Sequence, residues 1–228
     1  MKTSGIILQK LLALRAGVSR RAATQLIRDQ RVRVNGKLAE LGMRADPSDQ
    51  LQLDDQTLID PDPVMLAYYK PRGVVSTLRD PLPHATLSEV LPGNLPRVVP
   101  AGRLDKDSEG LMILTNDGGL IQELTHPKYR HEKEYEVIVR GEVTLRTCET
   151  LKKGIHLAEG IARADHCEVQ NPKTLRIVLH QGWKRQIRRM LEKMGFDVLI
   201  LKRIRIGRLL LGRLRSGQLK KIRRSDLF

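Results

Sequence analysis

Apolar positions recur first with helical and then with strand-like spacing. Residues 6–14 and 20–28 carry apolar side chains at helical intervals, with Ser19 as N-cap of the second segment. Two short helices joined near Gly17 are predicted. The stretch Val32-Arg33-Val34 alternates and runs into Asn35-Gly36, the residue pair that a tight type I′ hairpin turn favours. Beyond residue 64 the rhythm shortens to apolar runs at 65–69, 111–114, 135–139, 175–179 and 198–201, separated by Gly/Pro turns. A mixed, mainly antiparallel sheet follows from them. One helix is predicted among these strands at 185–194, where Ile187, Met190, Leu191 and Met194 form an apolar stripe and Gly195 stops it. Its other stripe is Arg185, Arg188, Arg189 and Glu192. The fold class is therefore α+β: a small α+β unit over residues 1–62, then a larger domain over 63–228 whose sheet is flanked by helices.

Charge sharpens the division. Residues 1–44 hold ten Lys/Arg, counting Lys2, against Asp29 and Glu40, and residues 45–64 hold six Asp and no base. The acidic stretch ends in Asp60-Pro61-Asp62-Pro63 and has the turn-prone composition of a linker. Over all 228 residues the formal net charge is +15, which points to a polyanionic partner, nucleic acid ahead of a membrane surface. No apolar run approaches the roughly 20 residues that span a bilayer, and the N-terminus lacks the long apolar run of a signal peptide. A cytoplasmic protein is expected. Aromatic residues are only 3% of the chain, so the core must be aliphatic. Cys148 and Cys167 lack CxxC spacing and read as reduced, packed thiols. The six histidines form no HxH or HxxxH pair, and no metal site is indicated.

Two clusters carry candidate chemistry. Arg20, Arg21, Arg28 and Arg33, with Arg31 and Lys37, gather on the second helix and the hairpin, either as a solvated basic face or as a phosphate-binding one. The run GRLDKDSEGL (residues 102–111) is a polar, glycine-bounded loop leading into an apolar strand, which sets acidic side chains at the mouth of a sheet. Three readings stand for it on residue chemistry alone: a turn with capping aspartates, a two-Asp metal site, or a catalytic carboxylate. Arg103 and Lys106 would compete with a divalent ion, yet the same bases would keep a carboxylate ionised in a dry cleft.

Resemblance to known families narrows these choices. ILQKLLALRAGVSRRAATQLIRDQRVRVNGK, from Ile7 to Lys37, resembles the S4 RNA-binding domain. The likeness covers roughly residues 5–60 and implies that Arg20, Arg21, Arg28 and Arg33 lie against RNA backbone. The usual RLDKFLA opening is replaced by Ile7-Leu8-Gln9-Lys10-Leu11-Leu12. GRLDKDSEGLMILTNDG is similar to the signature of the pseudouridine synthases, in particular the ribosomal-RNA group of the RsuA type. Three further segments agree in order: MLAYYKPRGVVST (65–77), HEKEYEV (131–137) and GWKRQIRRMLEKMGFDVLILKRIRIG (182–207).

Such enzymes detach uracil from its sugar at nitrogen 1, turn it and rejoin it through carbon 5, without metal or organic cofactor. The resemblance implies Asp105 as the catalytic carboxylate, as nucleophile or as base, with Arg188 paired to it. It implies Tyr135 as the ring against the uracil and Arg103 as the residue that helps expel the base or takes its place in the RNA. Lys133 would support the tyrosine segment. Arg185, Arg189, Lys202, Arg203 and Arg205 would form a phosphate-binding wall around the cleft. Trp183 would stack on RNA or wedge against the sheet, and Tyr68 and Tyr69 would pack. Ribosomal RNA or a pre-ribosomal particle is the implied partner, the large subunit ahead of the small, and the chain is expected to act as a monomer. The rival expectations are a non-catalytic RNA-binding assembly factor and a metal-dependent RNA hydrolase built on Asp105 and Asp107.

Overall fold

The computed structural model describes residues 5–78 and 80–228. Lys2 lies outside them. The chain divides at Pro63/Val64 into two compact units.

In the first unit, β1 (Ile6–Ile7) pairs with β4 (Arg44–Ala45), and α1 (Leu8–Arg15) and α2 (Arg20–Arg28) follow β1. The helix expected from residue 6 thus starts two residues later, because the backbone of Ile6 and Ile7 is taken by a strand. Ser19 caps α2 as predicted, its hydroxyl accepting from the Ala22 amide at 3.0 Å. β2 (Val32–Val34) turns through Asn35 and Gly36, both at positive φ, into β3 (Lys37–Leu38). β5 (Leu51–Leu53) and β6 (Gln56–Leu58) complete a four-stranded sheet in the order β3-β2-β5-β6. The acidic stretch is therefore no linker. Leu51 is fully buried, Asp54 and Asp55 turn a second hairpin at positive φ, and Asp60 accepts from the Arg15 guanidinium at 2.8 Å. Leu8, Leu12, Ala23, Ile27, Val32 and Leu51 make the core.

The second unit is built on a nine-stranded sheet with helices on both faces and carries a separate two-stranded hairpin. In chain order its elements are β7 (Met65–Lys70), α3 (Leu87–Val90), β8 (Val99–Pro100), β9 (Glu109–Thr115), α4 (Gly118–Thr125), β10 (Lys133–Arg140) and α5 (Leu145–Lys153). There follow β11 (Ile155–Leu157), β12 (Gly160–Ala162), β13 (His166–Asn171), β14 (Thr174–Leu179), α6 (Gln186–Glu192), β15 (Asp197–Ile206), β16 (Leu209–Leu210) and β17 (Leu219–Lys221). The strand order is β13-β14-β10-β15-β9-β7-β17, with β8 added on β9 and β16 on β15. Every pairing in it is antiparallel except β9 with β15. Each predicted strand is present, and β15 extends five residues beyond its expected end.

Alternation sorts the core. Tyr68, Met112, Leu114, Val137 and Ile177 pack with α5 and α6, while Tyr69, Leu111 and Ile113 pack with Leu120 and Leu124 of α4. Tyr68 and Tyr69 are packing residues, as expected. The expectation of reduced thiols is overturned: Cys148 of α5 and Cys167 of β13 form a buried disulfide, with Cα atoms 5.1 Å apart. Sequence spacing excluded CxxC chemistry, but it says nothing of a helix laid on a strand. Among the described residues no helix is long and apolar enough to cross a membrane.

Candidate active site

The parallel junction of β9 and β15 positions the site. It holds only two residue pairs, Glu109 with Lys202 and Gly110 with Arg203. Gly110 has φ +105, and a Cβ there would lie 2.3 Å from the Arg203 carbonyl oxygen, so the strands meet this closely only with glycine. A pocket of about 460 Å³ opens beside the junction, lined by the loop before β9, by α4, by β10 and by the approach to α6. That volume suits a nucleotide.

Asp105 lies half-buried on its wall, in a loop whose backbone is bonded at every step. The Leu104 carbonyl accepts from Ser76 Oγ at 2.6 Å, and the same hydroxyl receives the Leu104 amide at 3.0 Å. The Asp105 carbonyl accepts from the Ser108 amide, and the Lys106 carbonyl from the Gly73 amide. The Asp107 carbonyl accepts from Arg188 Nη2 at 2.9 Å, and the Ser108 carbonyl from Lys70 Nζ at 2.8 Å. Five successive carbonyls are thus satisfied, which fixes the loop without using the Asp105 carboxylate. That carboxylate makes no hydrogen bond among the described residues.

Arg188 does not pair with Asp105 as expected; its carboxylate partner is Asp107, at 3.2 Å. Its Nη1 also donates to the Val198 carbonyl at 2.9 Å, and it is 8% exposed, so it is no solvated helix face. Burial lowers its pKa, with the carboxylates of Asp107 and Asp105 opposing. Arg185, in left-handed conformation at φ 53 just before α6, donates to both Asp107 oxygens at 2.9 and 3.0 Å. Burial pushes the Asp107 carboxyl up, but the Arg185 hydrogen bond and the charges of Arg188 and Arg185 outweigh it, and the net shift is downward. Asp107 is a structural anion held by two guanidiniums, and with Asp105 it makes no open carboxylate pair for a cation. Among the described residues no group of His, Cys, Asp and Glu is arranged to hold a metal.

The sequence reading overlooked Lys70. It is fully buried, donates to the carbonyls of Pro71, Val74 and Ser108 at 2.7–2.8 Å, and ties the end of β7 to the Asp105 loop. Burial pushes its pKa down to about 8, against the pull of Asp107 and Asp105. The available signal was a lysine closing an otherwise apolar strand, directly before Pro71.

Of the expected residues, Asp105, Arg103, Lys133, Tyr135, Arg185, Arg203 and Trp183 line the pocket. Arg189, Lys202 and Arg205 do not. Arg189 is bonded to Glu159, Arg205 to Glu134 and Glu132, and Lys202 stands 3.9 Å from Glu136. Arg203 is no surface wall either: it is 2% exposed, with Nε donating to the Leu111 carbonyl at 2.7 Å. Strand alternation separates Arg203, opposite Tyr135, from Lys202, opposite Glu136, and a register shift between Glu134 and Tyr135 sets Arg205 opposite Glu134. On α2, Arg20, Arg21 and Arg28 are exposed without a side-chain partner among the described residues, whereas Arg31 is paired with Asp54 and Arg33 lies 3.6 Å from Asp55.

Comparison with known proteins agrees with this arrangement. The family model described as RNA pseudouridylate synthase matches residues 64–193, and the S4 domain model matches residues 8–51. The chain is 36% identical over 222 residues to the ribosomal large subunit pseudouridine synthase B of Bacillus subtilis, covering 94% of this chain and 91% of that one. It is 39% identical over 233 residues to an uncharacterized RNA pseudouridine synthase of Mycobacterium tuberculosis, covering 98% and 92%. A crystal structure of a pseudouridylate synthase matches with a TM-score of 0.70 at 26% identity, covering 98% of each chain. A matched segment longer than half the chain, relatives aligned almost end to end, and a pocket built around Asp105 together identify this chain as a member of the RNA pseudouridylate synthase family.

Proposed function

We propose that this enzyme converts a uridine of large-subunit ribosomal RNA to pseudouridine, with Asp105 as its catalytic carboxylate. The observation that carries the reading is a carboxylate without a hydrogen-bond partner on a pocket wall, set in a loop whose five neighbouring carbonyls are all bonded. A group held this way reaches the sugar without reorganising the backbone. Tyr135, on the same pocket, offers a ring to the extracted base, and its hydroxyl makes no hydrogen bond among the described residues. Arg103, exposed at the rim, is placed to take the room that the base leaves. Arg185 and Arg188 act through Asp107, fixing the loop and adding positive potential near Asp105.

Arg20, Arg21, Arg28 and Arg33 would meet RNA backbone, as expected of an S4 domain. The choice of the large subunit rests on the relatives named ribosomal large subunit pseudouridine synthase B. The substrate places the enzyme in the cytoplasm, where we take it to act as a monomer.

Mapping pseudouridine in ribosomal RNA by carbodiimide-dependent reverse-transcription stops, with the gene intact, deleted, and carrying Asp105→Asn, tests the reading. One stop lost on deletion and not restored by Asp105→Asn is the expected result. An unchanged map would leave the rival RNA-binding assembly factor standing.

A further inference from the structure

The pocket is far more positive than its single carboxylate requires. Asp105 is the one acidic residue of its lining, against Arg103, Lys133, Lys184, Arg185 and Arg203. Arg185 is neutralised by Asp107, and Arg103 and Lys184 are exposed to solvent. Lys133 and Arg203 are different. Both come from sheet strands, and neither has a carboxylate within ion-pair distance among the described residues.

Arg203 is held under the junction by the Leu111 carbonyl, and its Nη2 is buried without a partner. Lys133 lies on β10 two residues before Tyr135, hence on the same face of the strand, and Arg203 is the cross-strand neighbour of that tyrosine. Among the described residues the Lys133 ammonium donates only to the His131 carbonyl, at 3.2 Å, which leaves two of its donors for a ligand. Two cations that repel each other in a largely desolvated floor cost folding free energy unless an anion arrives. The pocket is therefore built to receive negative charge beside Tyr135.

Resting on the function proposed above, we propose that Lys133, backed by Arg203, holds the detached uracil as its anion while the base turns. When the N1–C1′ bond breaks, its electron pair leaves with the base and spreads over N1 and the two carbonyl oxygens. C1′ is satisfied by an Asp105 oxygen, or by the C2′–H pair with the proton going to Asp105. C5 then supplies the pair that forms the C5–C1′ bond, the Asp105 step reverses, a proton leaves C5 and one is gained at N1. Atoms balance as an isomerisation. Lys133 keeps its three protons throughout and acts only by charge and hydrogen bonding, which strengthen as the base becomes anionic.

This role sets a pH dependence. Burial, then the Arg203 charge, pushes the Lys133 pKa down to about 8. The charged and titratable groups around it are Arg203 from β15, His131 ahead of its own strand, Tyr135 on it, and Asp105, Arg103 and Arg185 on the other walls. β14 opposes it with Leu179. The working form is protonated, so kcat/KM should fall as pH rises through about 8.

The experiment is single-turnover conversion of a ribosomal RNA fragment, with RNA affinity measured separately. Lys133→Met should slow turnover by about 10²-fold with affinity unchanged. Lys133→Arg should restore most of the rate and leave an alkaline fall shallower than that of wild type, because a guanidinium stays charged while Lys70, with a pKa also about 8, still titrates. Wild-type turnover in Lys133→Met, or a loss confined to RNA affinity as for a phosphate contact, overturns the role. If Lys133→Met does not fold, the arginine variant decides, and an alkaline fall as steep in it as in wild type, or a rate that it does not restore, overturns the role equally. Failure of the wild-type enzyme to modify ribosomal RNA would instead overturn the function on which this role rests.

Discussion

Arg20, Arg21 and Arg28 stand exposed on α2 with no side-chain partner among the described residues, whereas Lys70, Asp107, Arg185 and Arg188 around the Asp105 loop are each tied to another group. On the function proposed above, the difference follows from the two tasks. Neutralising RNA phosphates needs charge in roughly the right place, and long side chains that adapt to a backbone lose little by being loose. Chemistry at a sugar, by attack or by proton removal, would need a carboxylate placed to within a fraction of an ångström, and buried hydrogen bonds fix the loop while leaving the Asp105 carboxylate without a hydrogen bond among the described residues.

The contrast can be broken most directly at Asp105. Asp105→Asn keeps the shape of the side chain, and turnover should fall by roughly 10²–10⁴-fold or to nothing while RNA affinity is unchanged. Equal loss in both assays would show that the loop also carries binding. Next in size is Ser76→Ala, which removes both bonds to Leu104. Turnover should drop on the order of 10-fold to 10²-fold, and urea unfolding should register a loss of about 1–3 kcal/mol. Full activity in this variant would mean that the loop holds its geometry without that staple.

On the other side of the comparison, Arg20→Gln, Arg21→Gln and Arg28→Gln combined should weaken RNA binding and lower the slope of log affinity against log salt by about 2–3. Turnover at saturating RNA should be unchanged. A changed turnover would mean that the first unit positions the target as well as holding RNA.

The smallest effect is expected from Asp107→Asn. The native carboxyl has a lowered pKa, so its stabilisation is complete above the ordinary carboxylate pKa and is lost as pH falls through the lower folded value. With the side chain about a third exposed, the loss at neutral pH should be about 1 kcal/mol, given solvent screening. The difference from wild type should vanish in acid, as thermal melts at neutral and low pH would reveal.

Much of this was legible from local pattern. Apolar alternation located the strands, Ser19 and Asn35-Gly36 marked a cap and a turn, and the motif around Asp105 carried the family resemblance. The hairpin of LQLDDQTL is written in the same local way, with Leu51, Leu53 and Leu58 flanking an Asp-Asp turn, although six aspartates give the stretch the composition of a linker.

By itself the sequence determined element types, the order of the two units and the identity of the candidate carboxylate, because each is written within a few neighbouring residues. Only the tertiary structure decided which carboxylate Arg188 meets, that Lys70 anchors the Asp105 loop, that Cys148 reaches Cys167, and that Arg203 lies beneath the pocket instead of on a surface wall. Arg188 and Asp107 are 81 positions apart, and Asp105 is two residues from Asp107 in the same loop. A choice between such neighbours turns on side-chain direction and distance, which periodicity along the chain does not encode.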